Sequence, residues 1–347
     1  MRPFDYASPT TAEQVPALLG KSWGEVEILA GGSDLLSLMK DEITTPKRLV
    51  NIKQISGLHA ISNEGGAANL GTLVTLDRIA NASQIQHQHP MLAAAAGDAA
   101  SPQIRNVATI GGNLCQRPRC WYFRAGHGLL AQKDGKSLVL QGDNRYHAIL
   151  GNDGPALFVS PSTVAPVLIA YNAKVRIVGP RGTREVPVEK FFVIPKTEQE
   201  REHDLKPDEF ISHVIVPPAP GVRAAHYEVR QKEAFDWPYA TAAVALTMNA
   251  STVQSARIVM GHVAPIPWVS AEAAQALQGK AVTQATADQA AQAAVAKAKS
   301  LGHNAHKIHL AQVAVKRAIL AAAGSKPAAG SPPRAGVARD GERGGAA

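Results

Sequence analysis

The first 60 residues alternate between apolar and polar segments in a pattern that predicts helices and strands in turn. A short helix is expected to begin near Thr10 and Thr11, whose side chains can cap a helix, and to end near Leu19. The elements predicted after it are a strand over 26–29, a turn over 30–34, a helix over 35–39 and a strand over 48–52. This order of strand, glycine turn, helix and strand is typical of an α/β unit.

The remaining pattern predicts two further groups of elements, separated by the Pro217-Pro218 pair. Before the prolines, we expect a strand and turn over 68–76, a helix over 91–98, a helix end and loop over 101–113, a helix over 164–170, and strands over 174–178 and 209–216. After them, we expect strands over 226–232, 240–249 and 256–263, and helices over 271–277, 285–300 and 308–323. The double proline is therefore a candidate domain boundary. Residues 114–155 lack periodicity, and irregular segments of that length inside a domain are usually functional.

Composition narrows the class of protein. The chain has 347 residues, which suggests about two domains; 45% are hydrophobic and only 5% aromatic, which predicts a globular core of small aliphatic side chains. The formal net charge is +8, of which the segment from Gly324 contributes +2, leaving about +6 for the folded part. That balance suits anionic ligands, but no run of Lys and Arg interleaved with aromatic residues indicates nucleic-acid binding. No apolar stretch reaches the roughly 18 residues of a membrane span.

Cysteines and histidines give no strong metal signal. Two cysteines, Cys115 and Cys120, cannot supply a four-thiolate cluster; they form either a disulfide or two buried thiols, and the thiols are favoured. His303, His306 and His309 lie three residues apart near the last helix, and this spacing drifts around the helix. A zinc site needs ligands on one face, so we predict no metal there.

Two glycine pairs carry the clearest chemical signal. The segment Gly31-Gly32-Ser33 follows a predicted strand and precedes a helix, so its backbone N–H groups can approach an anion. Alone, such a turn is also common in plain connections. The segment 109–113 (TIGGN) offers a second pair, flanked by a hydroxyl and an amide. Together, the amides of the two turns could hold the diphosphate of a dinucleotide, although neither is a G-x-G-x-x-G fingerprint.

Four segments, in this order, are similar to those of one family: AGGSDLLSLM at 30–39, SPQIRNVATIGGNL at 101–114, SPSTVAPVL at 160–168 and MGHVAPIPW at 260–268. The set resembles the FAD-binding (medium) subunit of the molybdenum hydroxylases, a family that includes xanthine dehydrogenase, aldehyde oxidoreductase and carbon monoxide dehydrogenase. The resemblance covers about residues 1–323. It implies an α+β protein. A PCMH-type FAD-binding domain of two α/β subdomains would cover 1–218, with an irregular insertion at 114–155. A C-terminal domain of antiparallel strands and helices would cover 219–323, followed by a disordered tail at 324–347.

The resemblance also implies which residues bind the cofactor, and it implies no catalytic residue in this chain. The expected FAD-binding residues are Leu29, Ala30, Gly31, Gly32, Ser33, Asp34, Leu35, Leu36, Ser101, Thr109, Gly111, Gly112, Asn113, Ser162 and Lys232. Two positions depart from the family pattern. Thr163 stands where the motif usually has Asp, and Glu228 lies in a C-terminal region that usually carries a basic cluster near the flavin.

The segment 114–152 resembles the insertion of the periplasmic aldehyde oxidoreductases, through QRPRCWYFR at 116–124 and NRYHAILG at 144–151. In those relatives, cysteines of the insertion and just after it hold a [4Fe–4S] cluster. Cys120 matches one such ligand position, and the other ligand positions have no cysteine here. We therefore expect no cluster and no metal in this chain.

The implied function is an electron-transfer flavoprotein subunit of a molybdenum hydroxylase or aldehyde dehydrogenase complex. FAD would pass electrons from partner iron–sulfur centres to an external acceptor. The partners would be a large subunit with the molybdenum cofactor, where substrate is oxidised, and a small [2Fe–2S] subunit. A flavin-free scaffold of the same complex is the alternative; a stand-alone flavin oxidase of the vanillyl-alcohol oxidase type is a weaker one, since no flavin-linkage residue is evident. With no apolar signal core near Met1, the expected location is the cytoplasm, or the periplasm if a signal-bearing partner exports the complex.

Overall fold

The computed structural model describes residues 1–324. The predicted tail therefore lies, from residue 325 onward, outside the described residues. In the described part the strands are β1 (Asp5–Ala7), β2 (Val26–Leu29), β3 (Arg48–Asn51), β4 (Ile61–Glu64), β5 (Ala67–Gly71), β6 (Gln132–Lys133), β7 (Lys136–Ser137), β8 (Lys174–Gly179), β9 (Gly182–Pro187), β10 (Phe210–Val216), β11 (Arg223–Val229), β12 (Ala240–Asn249), β13 (Thr252–Gly261) and β14 (Trp268–Val269).

The helices of the same part are mostly short. They are α1 (Val15–Leu18, preceded by a 3₁₀ turn over Ala12–Gln14), α2 (Leu35–Lys40), α3 (Leu76–Asn81), α4 (Ser83–Gln88), α5 (Pro90–Asp98), α6 (Pro102–Arg105), α7 (Ile110–Cys115), α8 (Trp121–Arg124), α9 (Leu138–Gln141), α10 (Val164–Ala170), α11 (Val188–Phe191), α12 (Ala271–Leu277), α13 (Gln284–Ala294) and α14 (His306–Ala322). No helix among residues 1–324 is both long and apolar enough to cross a membrane.

Three sheets organise the chain. The first has the order β1-β3-β2 and is parallel, as expected for strands joined through a helix. The second, β4-β5-β10-β8-β9, is antiparallel, and helices α3, α5 and α10 contribute buried side chains to its core. The third, β11-β12-β13-β14, is antiparallel and packs against α12, α13 and α14 through a core rich in alanine. The predicted α+β class, with an antiparallel C-terminal sheet, is confirmed.

The structure differs from the predicted elements in two places that matter for the site. The segment 101–113 was expected to be a helix end and a loop, but it contains α6 and the first turn of α7, because Ser101 and Thr109 each cap a new helix. The strand predicted over 226–232 ends at Val229. Residues 230–239 therefore form a loop between β11 and β12.

The irregular segment 114–155 is bound to the C-terminal part of the chain by buried hydrogen bonds. Lys307 of α14 is buried, and its ammonium donates to the carbonyl oxygens of Tyr146, His147 and His262 at 2.8, 3.0 and 2.8 Å. The Asn304 side chain donates to the His147 and Ala148 carbonyls at 3.2 and 3.1 Å. Since these carbonyls are buried, each needs a donor, and the last helix supplies it.

Candidate functional site

A cleft of about 450 Å³ is lined by residues that lie between Leu19 and Pro238 in the sequence. One wall comes from the end of β2 and the turn before α2, and the facing wall comes from the start of α7 and the segment that follows it. The mouth is bordered by the loop between β11 and β12. The lining residues used below lie at 27–28, 30–35, 98–100, 108–109, 111–113, 115–117, 119, 201, 203, 209–211, 228 and 235–238.

The first glycine turn joins β2 to α2 in very little space. Gly32 has a φ of +74°, in the left-handed region that favours glycine. A Cβ placed on Gly31 would lie 1.8 Å from the carbonyl oxygen of Val107 and 2.8 Å from its carbonyl carbon. Glycine is therefore required at this position by the close approach of the neighbouring backbone. In the described part of the chain, the backbone N–H groups of 31–34 have no hydrogen-bond partner.

The second glycine turn is the capped start of α7. Thr109 accepts a hydrogen bond from the Gly112 N–H at 3.2 Å, and a Cβ on Gly111 would lie 1.8 Å from Oγ1 of Thr72. The N–H groups of residues 110–113 bond to Val74, Thr72 and Thr109. The structure therefore departs from the expectation that both turns offer amides to a ligand: only the first does.

The second turn instead contributes side chains. Ser162 donates its hydroxyl hydrogen to Oδ1 of Asn113 at 2.6 Å. With Oδ1 accepting, the Asn113 amide directs its Nδ2 hydrogens elsewhere as donors, and Asn113 lines the cleft. The Thr109 hydroxyl accepts through its oxygen and keeps its hydrogen to donate. The unpaired amides of the first turn and the side chains of Thr109 and Asn113 form a cradle of donors along the cleft, and this arrangement fits a diphosphate.

The structure brings ten of the predicted binding residues to the cleft. These are Ala30, Gly31, Gly32, Ser33, Asp34, Leu35, Thr109, Gly111, Gly112 and Asn113. The other five, Leu29, Leu36, Ser101, Ser162 and Lys232, are not among the lining residues. Of these, Ser101 caps α6 and the buried Ser162 orients Asn113, while Lys232 lies exposed on the loop between β11 and β12.

Asp34 connects the first turn to the segment after α7. Its carboxylate accepts hydrogen bonds from the Arg117 backbone N–H and from the Arg124 guanidinium, both at 2.8 Å, and forms an ion pair with Arg119 at 3.0 Å. Arg124 also donates to the carbonyl of Pro118, on the side away from the cleft. The Asp34 side chain is therefore a structural acceptor that fixes the arginine-rich segment beside the turn.

Arg119 faces the cleft and is held from two further directions. Its guanidinium carbon lies 4.7 Å from the centre of the Trp237 ring, a cation–π distance, and it donates to Oε1 of Gln116 at 3.1 Å. Burial lowers the pKa of Arg119 to about 10, so it remains charged at neutral pH. Its Nε is buried and has no hydrogen-bond partner within the described chain.

The loop between β11 and β12 reaches across the mouth of the cleft. The Asp236 carboxylate accepts from three backbone amides of this loop, at 2.9 to 3.0 Å. The Phe235 N–H donates to the Ala100 carbonyl at 2.9 Å, and both residues have positive φ angles, +54° and +51°. Phe235 is 72% exposed. The loop is thus ordered internally by one carboxylate and attached to the opposite wall by one backbone hydrogen bond.

A histidine between two carboxylates lies near the same end. The buried His226 is 3.7 Å from Asp98 and 3.4 Å from Glu228, and both of these acids line the cleft. Arg230 pairs with Glu228 at 3.1 Å. Glu228, which lies where the resemblance implies a basic cluster, is therefore part of the cleft wall. The neighbouring Arg230 partly offsets its negative charge.

Burial sets the protonation of several other wall residues. It raises the pKa of Glu27 to about 7 and that of Cys115 to about 12, and it lowers the pKa of His203 to about 4. Arg201 pairs with Glu27 at 3.3 Å. Cys115 and His203 are therefore neutral at pH 7, so the fixed charges of this wall are mainly those of the arginines and their acidic partners.

The insertion shows two free thiols. Cys120 Sγ lies 3.2 Å from Nε2 of His147; burial raises the pKa of Cys120 and lowers that of His147 to about 4, so both are neutral at pH 7. Among residues 1–324, no group of three or more His, Cys, Asp or Glu side chains is placed to bind a metal.

Sequence reasoning missed the wall residues that follow α7 and those of the mouth loop, including Gln116, Arg117, Arg119 and Trp237. They lie in segments without periodicity, so no hydrophobic pattern places them. The available signal was the arginine-rich QRPRC segment directly after the second glycine turn.

Comparison with known proteins finds family matches over most of the chain. Residues 2–219 match the family described as FAD binding domain in molybdopterin dehydrogenase, and residues 225–322 match the CO dehydrogenase flavoprotein C-terminal domain. The aldehyde oxidoreductase FAD-binding subunit PaoB of Escherichia coli (strain K12) is 32% identical over 291 residues, covering 80% of this chain and 87% of PaoB.

Carbon monoxide dehydrogenase is similar in both sequence and structure. Its medium chain in Hydrogenophaga pseudoflava is 30% identical over 323 residues, covering 92% of this chain and 96% of that protein. A solved structure of the enzyme from the same organism, lacking the Mo-pyranopterin moiety of the molybdenum cofactor, gives a TM-score of 0.73 at 30% identity. That match covers 93% of this chain and 98% of the other.

Proposed function

Because the chain belongs to the family of FAD-binding subunits of the molybdenum hydroxylases, we propose that its cleft holds FAD for electron transfer within such a complex. Electrons would arrive from iron–sulfur centres on a partner and leave to an external acceptor. The observation that carries the proposal is this cradle of donors: the amides of 31–34 are unpaired and line the cleft, and the turn lies so close to Val107 that only glycine fits at 31.

The residues of this chain bind and orient the cofactor. FAD supplies the redox chemistry once bound, and the protein supplies position and electrostatics. The first glycine turn presents backbone donors, and Thr109 and Asn113 add side-chain donors from the facing wall. Asp34 and Ser162 hold these groups in place. The loop at 231–238 lies over the mouth and limits the entry of water and acceptors.

The flavin-free scaffold is less well supported than a flavoprotein. A scaffold has no need of the unpaired backbone amides of 31–34 along the cleft, whereas a bound diphosphate would accept hydrogen bonds from them.

The relatives named as FAD-binding subunit and medium chain are parts of larger enzymes. By analogy, we propose two partners: a large subunit with the molybdenum cofactor, where substrate is oxidised, and a small [2Fe–2S] subunit. We also propose a cytoplasmic location, which the two free thiols favour, or a periplasmic one after export of the folded complex. Fractionation of cells expressing the chain with and without its partner genes distinguishes the two.

The test is purification of the full chain, co-expressed with its partners, followed by measurement of FAD, iron and molybdenum. One FAD per chain, released by denaturation, is expected, with iron and molybdenum that depart when the partners are removed. A colourless complex that still assembles would support the scaffold and overturn the flavoprotein proposal. Iron at about four atoms per isolated chain would show instead that the insertion holds a cluster.

A further inference from the structure

We propose that the tip of the loop between β11 and β12, residues 235–237, is a strap that opens and closes the mouth of the cleft, and that the contact of Trp237 with Arg119 is its latch. Opening of the strap lets the ligand of the cleft enter and leave. The inference rests on the proposed function in one respect, since it takes that ligand to be FAD. The strap itself is defined by contacts within this chain.

Both ends of the loop are fixed to the body of the protein. At one end, Arg230 donates to the Asp98 carbonyl at 2.8 Å and pairs with Glu228 at 3.1 Å. At the other end, the Tyr239 N–H donates to the Val229 carbonyl at 2.8 Å. These contacts hold the points where the loop leaves β11 and enters β12. Movement of the loop is therefore confined to the residues between them.

The residues between the two anchored ends form one turn. The Asp236 carboxylate accepts hydrogen bonds from the backbone N–H groups of Gln231 at 2.9 Å and of Lys232 and Trp237 at 3.0 Å. Hydrogen bonds to an ionised carboxylate are stronger than those between neutral groups, so these three hold the turn together. The turn therefore swings as a unit at its anchored ends and does not unravel.

The tip of this turn reaches the walls of the cleft at two places. On one side, the Phe235 N–H donates to the Ala100 carbonyl at 2.9 Å. On the other side, the Trp237 ring centre lies 4.7 Å from the guanidinium carbon of Arg119, and Asp34 holds that guanidinium at 3.0 Å. Phe235 and Trp237 line the cleft but are 72% and 44% exposed. The tip thus spans the mouth while burying little apolar surface, which is typical of segments that open locally.

The attachment to Ala100 is opposed by backbone strain. Phe235 has a φ of +54° and Ala100 a φ of +51°, in the left-handed region that side chains other than Asn and Asp rarely adopt. When the tip detaches, Phe235 can return to an ordinary conformation, so the strain favours the open position. The cation–π contact of Trp237 favours the closed position. This contact therefore sets how often the strap opens.

The experiment compares Trp237→Ala and Trp237→Phe with the control Glu233→Gln. Phe keeps a ring beside Arg119 but attracts a cation less strongly than Trp. Glu233 is an exposed residue of the same loop and is not among the residues that line the cleft. In the complex stripped of flavin, residue-resolved hydrogen exchange measures opening of the strap without any ligand. Stopped-flow fluorescence then measures the rates of FAD association and release.

In the stripped complex, W237A should speed exchange of the Phe235 N–H by about 2- to 30-fold, the range for loss of one cation–π contact. The amides of Gln231 and Lys232 should keep the wild-type exchange rate because Asp236 still accepts from them. W237F should lie between wild type and W237A, and E233Q should match wild type. FAD association and release should both become faster by the same factor, because a strap that opens more often speeds passage in both directions and leaves the dissociation constant unchanged.

Unchanged exchange of the Phe235 N–H in W237A overturns the latch, and an equal increase at Gln231 and Lys232 overturns movement of the turn as a unit. Faster FAD release with unchanged association shows that Trp237 contacts the cofactor and does not latch the strap, which also overturns the proposal. If the wild-type complex binds no FAD, the proposed function fails, while hydrogen exchange in the stripped complex still decides whether the strap opens as described.

Discussion

The contact between Gly31 and the Val107 carbonyl gives the sharpest test of the cleft. In Gly31→Ala, the new Cβ would start 1.8 Å from the Val107 oxygen, whereas real Cβ atoms essentially never come closer than 3.0 Å. The two backbone segments must therefore separate by at least 1.2 Å. A displacement of that size breaks hydrogen bonds of normal length between the turn and a bound ligand. Loss of two bonds to a charged group costs roughly 3–6 kcal/mol, so FAD affinity should fall by two to four orders of magnitude.

FAD content and FAD affinity of the purified complex measure the effect. The matched control is Gly154→Ala, because a Cβ there meets nothing within 4 Å and the backbone is outside the left-handed region. We expect G154A to retain full FAD and the unfolding temperature of the wild type. If G31A binds FAD within threefold of wild type while remaining folded, the cradle between the two turns is not the binding site, and the reasoning is refuted.

Three further predictions follow from neighbouring contacts. Gly111→Ala should lower FAD affinity because its new Cβ would lie 1.8 Å from Oγ1 of Thr72. Adding Thr72→Ala should restore part of the lost affinity, since the closest atom to that Cβ would then be 3.1 Å away. If the two substitutions show no coupling in a double-mutant cycle, the prediction is contradicted. Asp34→Asn should lower the free energy of unfolding by about 1–3 kcal/mol, because the guanidinium groups of Arg119 and Arg124 lose their carboxylate partner. Backbone hydrogen exchange over residues 116–124 should become faster for the same reason. Unchanged exchange there would show that Asp34 does not fix the arginine-rich segment. Burial lowers the pKa of His147 and His203 to about 4 and that of His262 to about 3. The unfolded chain therefore binds more protons between about pH 4 and 6.5, and stability should fall by roughly 1.4 kcal/mol per pH unit for each histidine as the pH drops through that range. Chemical denaturation at pH 7, 6 and 5 checks this, and equal midpoints would disprove it.

The spacing of apolar residues along the sequence was sufficient to predict many of the helices and strands. Strand β2 and helices α5 and α12 lie within a residue or so of where the apolar pattern places them, because their apolar side chains pack against the hydrophobic cores. Elements fixed by capping were harder to place. Helices α6 and α7 span four and six residues and begin at Ser101 and Thr109, which is too short for a hydrophobic pattern to emerge.

The glycine residues of the candidate site could be predicted from the sequence, but the side chains contributed by the segments without periodicity could not. The two glycine pairs could be recognised in the sequence because they occur together, each after an apolar segment, although one such pair alone is common in plain connections. Hydrogen bonding decided what the sequence could not show, namely that the amides of 110–113 are already bonded within the chain. The contacts of Arg119 with Asp34 and Trp237 join residues 85 and 118 positions apart, and no local pattern reports such distances.

The buried ammonium of Lys307 has a consequence for how the polypeptide can be divided. Matches to known families divide the chain near residue 220, yet Lys307 in the second part donates to the Tyr146 and His147 carbonyls of the first part as well as to the His262 carbonyl. If the chain were cut there, the carbonyls of the first fragment and the Lys307 side chain of the second would exchange these hydrogen bonds for hydrogen bonds to water. We therefore expect the two fragments to be less stable apart than they are when joined in one polypeptide.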